Sequence, residues 1–262
     1  MFDVLLARIK QKYRTMKFPE GPPPGLPNRF VGRPVVTDGN CPPGCAGCVD
    51  ACPTGAIEPE NGLRLDLGRC LFCSECVAVC ALQNLSFTPD YRMAVRRRDD
   101  LLIDSGPFRL AQPLEVRLQR LWGRSLRLRQ VSAGGCNACE ADTNVLGTVG
   151  WDLGRFGIQF VASPRHADGL LITGPVTENM RQALLKTYEA VPAPKLVIAS
   201  GACAIAGGPY AGHEEVHDGA GGLLPVDLFI PGCPPHPLTI LDGLLRLLGR
   251  LETSVGDQIL QS

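Results

Sequence analysis

Gly134-Gly135-Cys136-Asn137-Ala138-Cys139-Glu140 follows a strand-like run, Leu126 to Val131, and precedes a helix start. A C-x-x-C turn brings two thiolates to one metal centre from a few residues of backbone. Two thiolates do not close a site. The only other cysteines in this half of the chain are Cys203, in Ser200-Gly201-Ala202-Cys203-Ala204, and Cys233, in Pro231-Gly232-Cys233-Pro234-Pro235. Each follows a short apolar run, Leu196 to Ala199 and Val226 to Ile230. Further strands are predicted at 157–161, 169–173, 195–200 and 225–230, with helices at 177–190 and 237–251. The first of these helices turns Met180, Leu184, Leu185 and Tyr188 inward. This alternation predicts an α/β fold with a doubly wound parallel sheet. Four thiols then lie at the ends of neighbouring strands, where such sheets keep their sites. The expectation is one buried four-thiolate centre.

The chain has 12 cysteines, and the other eight fall in two tight groups. Cys41, Cys45, Cys48 and Cys52 form C-x3-C-x2-C-x3-C-P; Cys70, Cys73, Cys76 and Cys80 form C-x2-C-x2-C-x3-C. The two groups are an internal repeat. Cys45, Cys48, Cys52 and Ile57 recur as Cys73, Cys76, Cys80 and Leu85, with Cys41 one residue out of register with Cys70. Zinc competes for any C-x-x-C pair, but zinc sites usually space two ligand pairs well apart. Crowding of this kind suits iron–sulfur cubanes, in which three close cysteines grip one cluster and a fourth reaches to another.

Residues 37–92 resemble a bacterial two-cluster ferredoxin domain, of small α+β fold. The resemblance implies crossed ligation, with Cys41, Cys45, Cys48 and Cys80 on one 4Fe-4S cluster and Cys52, Cys70, Cys73 and Cys76 on the other. Two departures stand out: the wider first loop, and Ala81 after Cys80 where Pro53 follows Cys52. Residues 126–262 resemble the small subunit of NiFe hydrogenases and the B-type subunit of complex I, a flavodoxin-like domain. That likeness rests on Gly-x-Cys-x-x-Cys, Gly-Ala-Cys-Ala and Pro-Gly-Cys-Pro-Pro, in order. Arg155-Phe156-Gly157-Ile158, Pro164-Arg165-His166-Ala167-Asp168 and Thr173-Gly174-Pro175-Val176 are similar to the formate hydrogenlyase type. The resemblance implies a third 4Fe-4S cluster on Cys136, Cys139, Cys203 and Cys233. Together the likenesses describe a ferredoxin-type subunit joined to a hydrogenase small subunit. They imply a non-catalytic electron-transfer subunit of an oxidoreductase complex. Its partners would be a catalytic large subunit, membrane subunits and a redox donor or acceptor protein. The alternative they imply is the equivalent subunit of a complex I-like enzyme without nickel.

Composition sets outer bounds. At 262 residues and 45% hydrophobic, the chain is long enough for two domains. Net charge is zero, which argues against wholesale nucleic-acid binding, yet the charge is uneven. Residues 1–36 carry seven basic and two acidic side chains, and residues 92–129 carry ten and four, leaving the remainder at net −11. Basic arms on an acidic body suit docking to partners. No stretch approaches the roughly 18 apolar residues of a membrane span, and no secretory or twin-arginine signal is legible. The expected location is cytoplasmic, peripheral on the inner membrane through the complex, with thiols reduced.

In the first eighteen residues, Phe2, Leu5, Leu6, Ile9, Tyr13 and Met16 form a helical stripe flanked by Arg8, Lys10, Lys12, Arg14 and Lys17. Such a helix docks on a partner, on an anionic membrane surface or on its own domain. Residues 21–27 form a proline strap that is neither helix nor inner strand. Residues 93–125 read as a basic linker carrying one helix, with Leu114, Leu118, Leu121 and Trp122 on a shared face. Among single residues, Glu140 is either a group beside the third centre or an acid in a helix's first turn. His166, His213, His217 and His236 lack ligand spacing. Gly207-Gly208-Pro209-Tyr210 is no nucleotide loop, and no nucleophile–base set is present around Ser132 or Ser200.

Overall fold

The computed structural model describes residues 2–37, 41–42, 44–59 and 62–251. Along the chain run α1 (Phe2–Gln11), β1 (Pro34–Val36), α2 (Gly47–Asp50), β2 (Ile57–Glu58), β3 (Arg64–Asp66), α3 (Glu75–Val79), β4 (Leu85–Phe87) and β5 (Leu102–Ile103). The second half continues with α4 (Val116–Trp122), β6 (Leu126–Ser132), α5 (Ala138–Val145), β7 (Ile158–Phe160), β8 (Gly169–Thr173), α6 (Glu178–Ala190), β9 (Leu196–Ser200), α7 (Ala202–Ala206), β10 (Leu228–Ile230) and α8 (Pro237–Leu247).

Strands β6 to β10 make one parallel sheet in the order β10-β9-β8-β6-β7. Counted by sequence, that is the 2-1-3-4-5 order of a flavodoxin-like fold. The central strands are apolar on both faces: all five residues of β8 and of β9 are buried, as a parallel sheet covered by helices requires. Helix α8 is buried along its whole length. It stops where Gly249 turns to φ +68°, four residues short of the breadth its leucines suggest.

The first half is built on the repeat. Helices α2 and α3 occupy equivalent positions, as do β2 and β4, which begin at Ile57 and Leu85. The outer strands pair antiparallel, β1 with β4, and the inner ones likewise, β2 with β3. Residues 93–111, read from their punctuation as linker, are built into the fold instead. Met93, Ala94 and Val95 are buried, and Val95 exchanges both backbone hydrogen bonds with Phe229 of β10 at 3.0 and 2.8 Å. Strand β5 then joins β3. One apolar cluster accordingly contains Ile57, Leu65 and Leu85 together with Ala199, Ile205 and Phe229. Arg98, from the triple-arginine run, is structural: its two terminal nitrogens grip the carboxylate of buried Asp66 at 2.8 and 2.5 Å.

Two other readings change. Helix α1 ends at Gln11, because Lys12 takes φ +57°. Met16 leaves the stripe for the core: its N–H donates to the Gly150 carbonyl, and Arg155 donates to the carbonyls of Met16 and Phe18 at 2.5 and 2.6 Å. In α4, Trp122 is buried and Leu118 partly so, while Leu121 faces outward at 56% exposure. The strap at 21–27 has no helix or strand. No helix among the described residues is long and apolar enough to cross a membrane.

Candidate functional site

The turn after β6 carries Cys136 and Cys139, the latter in the first turn of α5. Cys203 sits in the first turn of α7, after β9, and Cys233 in the loop between β10 and α8. All four thiols therefore leave the carboxyl edge of one parallel sheet, beside the point where strand order reverses between β6 and β8. Their charges act on one another. Burial first, then the thiolates of Cys203, Cys233 and Cys136 together with Glu140, push the Cys139 thiol up. Cys203 is pushed up to about 11, by burial and then by Cys233 and Cys136.

Glycines make the room. A Cβ on Gly201 would lie 2.6 Å from Cys139 Sγ, on backbone at φ +93°. One on Gly208 would lie 2.7 Å from Cys203 Sγ. Neither sulfur can yield without leaving the group. Gly201→Ala is therefore expected to weaken metal retention at this site by about tenfold or more, read as iron lost to graded chelator relative to the unaltered chain. Unchanged retention would show that the glycine does not shape the site.

The other eight cysteines group across the repeat. Cys48 is raised by burial and then by Cys80 and Cys41. Cys70 is pushed up to about 12, by burial and by the charges of Cys76, Cys52 and Cys73. Cys76 reaches about 11, from burial, then Cys52, Cys73 and, last, Cys48. Cys52 thus stands with the second run and Cys80 with the first. Cys52, Cys70, Cys73 and Cys76 line one apolar hollow with Ala56, Ile57, Leu65 and Phe87. The groups also touch each other electrically. Cys48 acts on Cys76, and Cys73 acts on Cys233. A cavity of about 230 Å³, lined by Phe30, Phe72, Asp142, Cys233 and His236 among others, lies between the last two groups.

All twelve cysteines are free thiols. Burial pushes up the thiols of Cys48, Cys70, Cys76, Cys139, Cys203 and Cys233, which disfavours their thiolate forms, so a ligand that takes them as thiolates must bring positive charge. A single zinc ion draws thiolates to about 2.3 Å. Among the described residues no three Cys, His, Asp or Glu side chains close round one point in that way. An iron–sulfur cube is bulkier than a single ion and takes its thiolates from further apart. Backbone and side-chain donors already face several sulfurs. Ala56 N–H lies 3.2 Å from Cys52 Sγ, Phe72 N–H 3.3 Å from Cys70 Sγ, and Asn84 Nδ2 3.4 Å from Cys41 Sγ. Nothing in the sequence singles out Asn84.

Glu140 is in the first turn of α5 and only 5% exposed. Its Oε1 accepts hydrogen bonds from Ser132 Oγ at 2.5 Å and Thr173 Oγ1 at 2.6 Å. These two hydroxyls, at the ends of β6 and β8, escape sequence reasoning because their partner lies on another element. The histidines stay apart from one another. His217 pairs with Glu178, while His236 Nδ1 accepts the Leu238 N–H at the start of α8.

The NADH ubiquinone oxidoreductase 20 Kd subunit family matches residues 136–247, the span holding Cys136, Cys139, Cys203 and Cys233. A probable membrane-bound hydrogenase subunit of Pyrococcus furiosus is 39% identical over 149 residues, which are 56% of this chain and 89% of that protein. The chain belongs to this family. Formate hydrogenlyase subunit 7 of Escherichia coli is 43% identical over 132 residues, 50% of this chain and 52% of that protein. The B-type NADH-quinone oxidoreductase subunit of Heliobacterium modesticaldum is 39% identical over 132 residues, 50% of this chain and 75% of that protein. The two N-terminal cysteine runs lie outside the matched family span.

Proposed function

We propose that the chain is an electron-transfer subunit of a membrane-associated hydrogenase-type complex, carrying three 4Fe-4S clusters. Cys41, Cys45, Cys48 and Cys80 would hold the first, Cys52, Cys70, Cys73 and Cys76 the second, and Cys136, Cys139, Cys203 and Cys233 the third. The observation that carries the reading is the grouping of thiols: Cys136, Cys139, Cys203 and Cys233 follow strand ends at the carboxyl edge of one parallel sheet, and Cys52 lines one hollow with Cys70, Cys73 and Cys76. The pairing of outer and inner strands in the repeat supports a ferredoxin-type first half. When bound, each cluster exchanges one electron at a time with its neighbours.

The chain's own residues set the surroundings of those electrons. The N–H groups of Ala56 and Phe72 and the amide of Asn84 donate toward sulfur, which favours the more negative, reduced state. The apolar lining of the second hollow keeps water out. Glu140, held by hydrogen bonds from two hydroxyls, places a carboxyl group beside Cys139 at the third set. The partners are a catalytic large subunit and the membrane subunits of the complex, with a redox protein at the first set. The names of the relatives support this, since two are hydrogenase or hydrogenlyase subunits and the third belongs to an NADH-quinone oxidoreductase.

Metal analysis tests the reading. Anaerobically purified chain is expected to contain about twelve irons and as many acid-labile sulfides. About eight irons with a metal-free C-terminal half, or zinc in place of iron, would overturn it.

A further inference from the structure

Helix α1 has no buried residue. At about 100° per residue, Phe2, Leu5, Leu6 and Ile9 share one arc of its surface, exposed at 78%, 56%, 46% and 71%. Arg8 stands at one edge of that arc and Lys10, with Asp3 beside it, at the other, while Val4, Ala7 and Gln11 lie on the far side. Tyr13 follows at 84% exposure, with the Arg8 guanidinium 5.0 Å from its ring centre. Through residue 17 the segment carries Arg8, Lys10, Lys12, Arg14 and Lys17 against the single acid Asp3.

The base of this helix is fixed. Thr15 Oγ1 donates to the Val149 carbonyl at 2.9 Å, Met16 N–H to the Gly150 carbonyl at 3.0 Å, and Phe18 is buried. Val149 is itself 72% exposed beside that base. The chain is thus anchored to the body from Thr15 onward, four residues after the striped helix ends, next to a further exposed apolar side chain.

We propose that α1 lies flat on the surface of an anionic lipid bilayer, so that the chain touches lipid directly as well as through its complex. The stripe would sink to the acyl boundary, and Arg8 and Lys10 would lie level with the phosphates on either side. The charge pattern decides the occupant. A protein groove deep enough to take the helix would wall its flanks and strip water from both Arg8 and Lys10, which is costly unless each meets a buried acid. A planar anionic surface accepts both cations while they stay hydrated. The inference deepens the membrane association proposed above, but it concerns a property of the chain alone.

The full chain, purified anaerobically with its chromophore intact, is sedimented with vesicles of phosphatidylcholine and with vesicles containing about one-third phosphatidylglycerol. It is expected to bind the anionic vesicles, less so the neutral ones, and more weakly as salt rises. Leu5→Glu/Leu6→Glu and Arg8→Gln/Lys10→Gln should each reduce binding by about tenfold or more. Their visible spectra should not change, because α1 has no buried residue and carries no cysteine. Equal binding by the Leu5→Glu/Leu6→Glu chain would overturn the proposal. So would failure of the unaltered chain to bind either vesicle while it remains in complex-containing membranes, which would assign the stripe to a protein groove. A wrong cluster count would appear in the iron analysis and leave these sedimentation results unmoved.

Discussion

Cys233→Ser is expected to remove the C-terminal cluster signal and to lower donor-to-acceptor turnover of the assembled complex by at least about a hundredfold. The serine oxygen is a harder donor than a thiolate and suits iron less well. The eight N-terminal cysteines lie on other elements, so their spectrum should persist and a chemical reductant should still reduce them. A Cys233→Ser complex with intact C-terminal signal and unchanged turnover would show that Cys233 is not a ligand.

The second large effect separates crossed from uncrossed ligation in the first half. Cys52→Ser is expected to damage the cluster of Cys70, Cys73 and Cys76, although Cys52 lies in the other run. Cys80→Ser should damage the cluster of Cys41, Cys45 and Cys48. The two clusters differ in surroundings: Cys41 and Cys45 are exposed, whereas Cys70 and Cys76 are buried. Their potentials and relaxation should therefore differ enough for magnetic resonance to tell them apart. Each variant should lose roughly a third of the iron. If Cys52→Ser instead removes the cluster associated with Cys41, the crossing is wrong.

The sheet of the second half is legible because its strands are short, apolar and fenced by glycine and proline. Gly169–Thr173 is found at its predicted bounds, and the thiols then follow the strand ends they are written after. Residues 93–111 are not legible. Met93-Ala94-Val95 is too short to show a period, and its partner Phe229 lies far along the chain, so Gly106-Pro107 reads as a boundary. Lys12 is illegible for another reason. A lysine with positive φ carries no local signature, and what draws Met16 out of the helical stripe is Arg155. The glycines beside Cys139 and Cys203 look like loop residues until the sulfurs they admit are placed.

The paired hydrogen bonds between Val95 and Phe229 bridge the outer edge of β10 to a segment from the other half. In a complex assembled from separate proteins, neighbouring redox centres meet only after a bimolecular docking event, and their spacing tolerates error at each contact. Here the second and third thiol groups share one backbone, and the apolar cluster of Cys70 and Cys76 takes in Ala204 and Ile205 from the helix that carries Cys203, so the effective concentration of one group for the other is set by chain length rather than by expression level. The two sets of thiols are present one to one by construction of the chain, and on the proposed function neither centre would wait on docking of a separate protein for its neighbour. The tolerance of the junction is correspondingly small: a proline at position 95 would remove a stitch hydrogen bond and loosen the spacing of two centres without touching a cysteine.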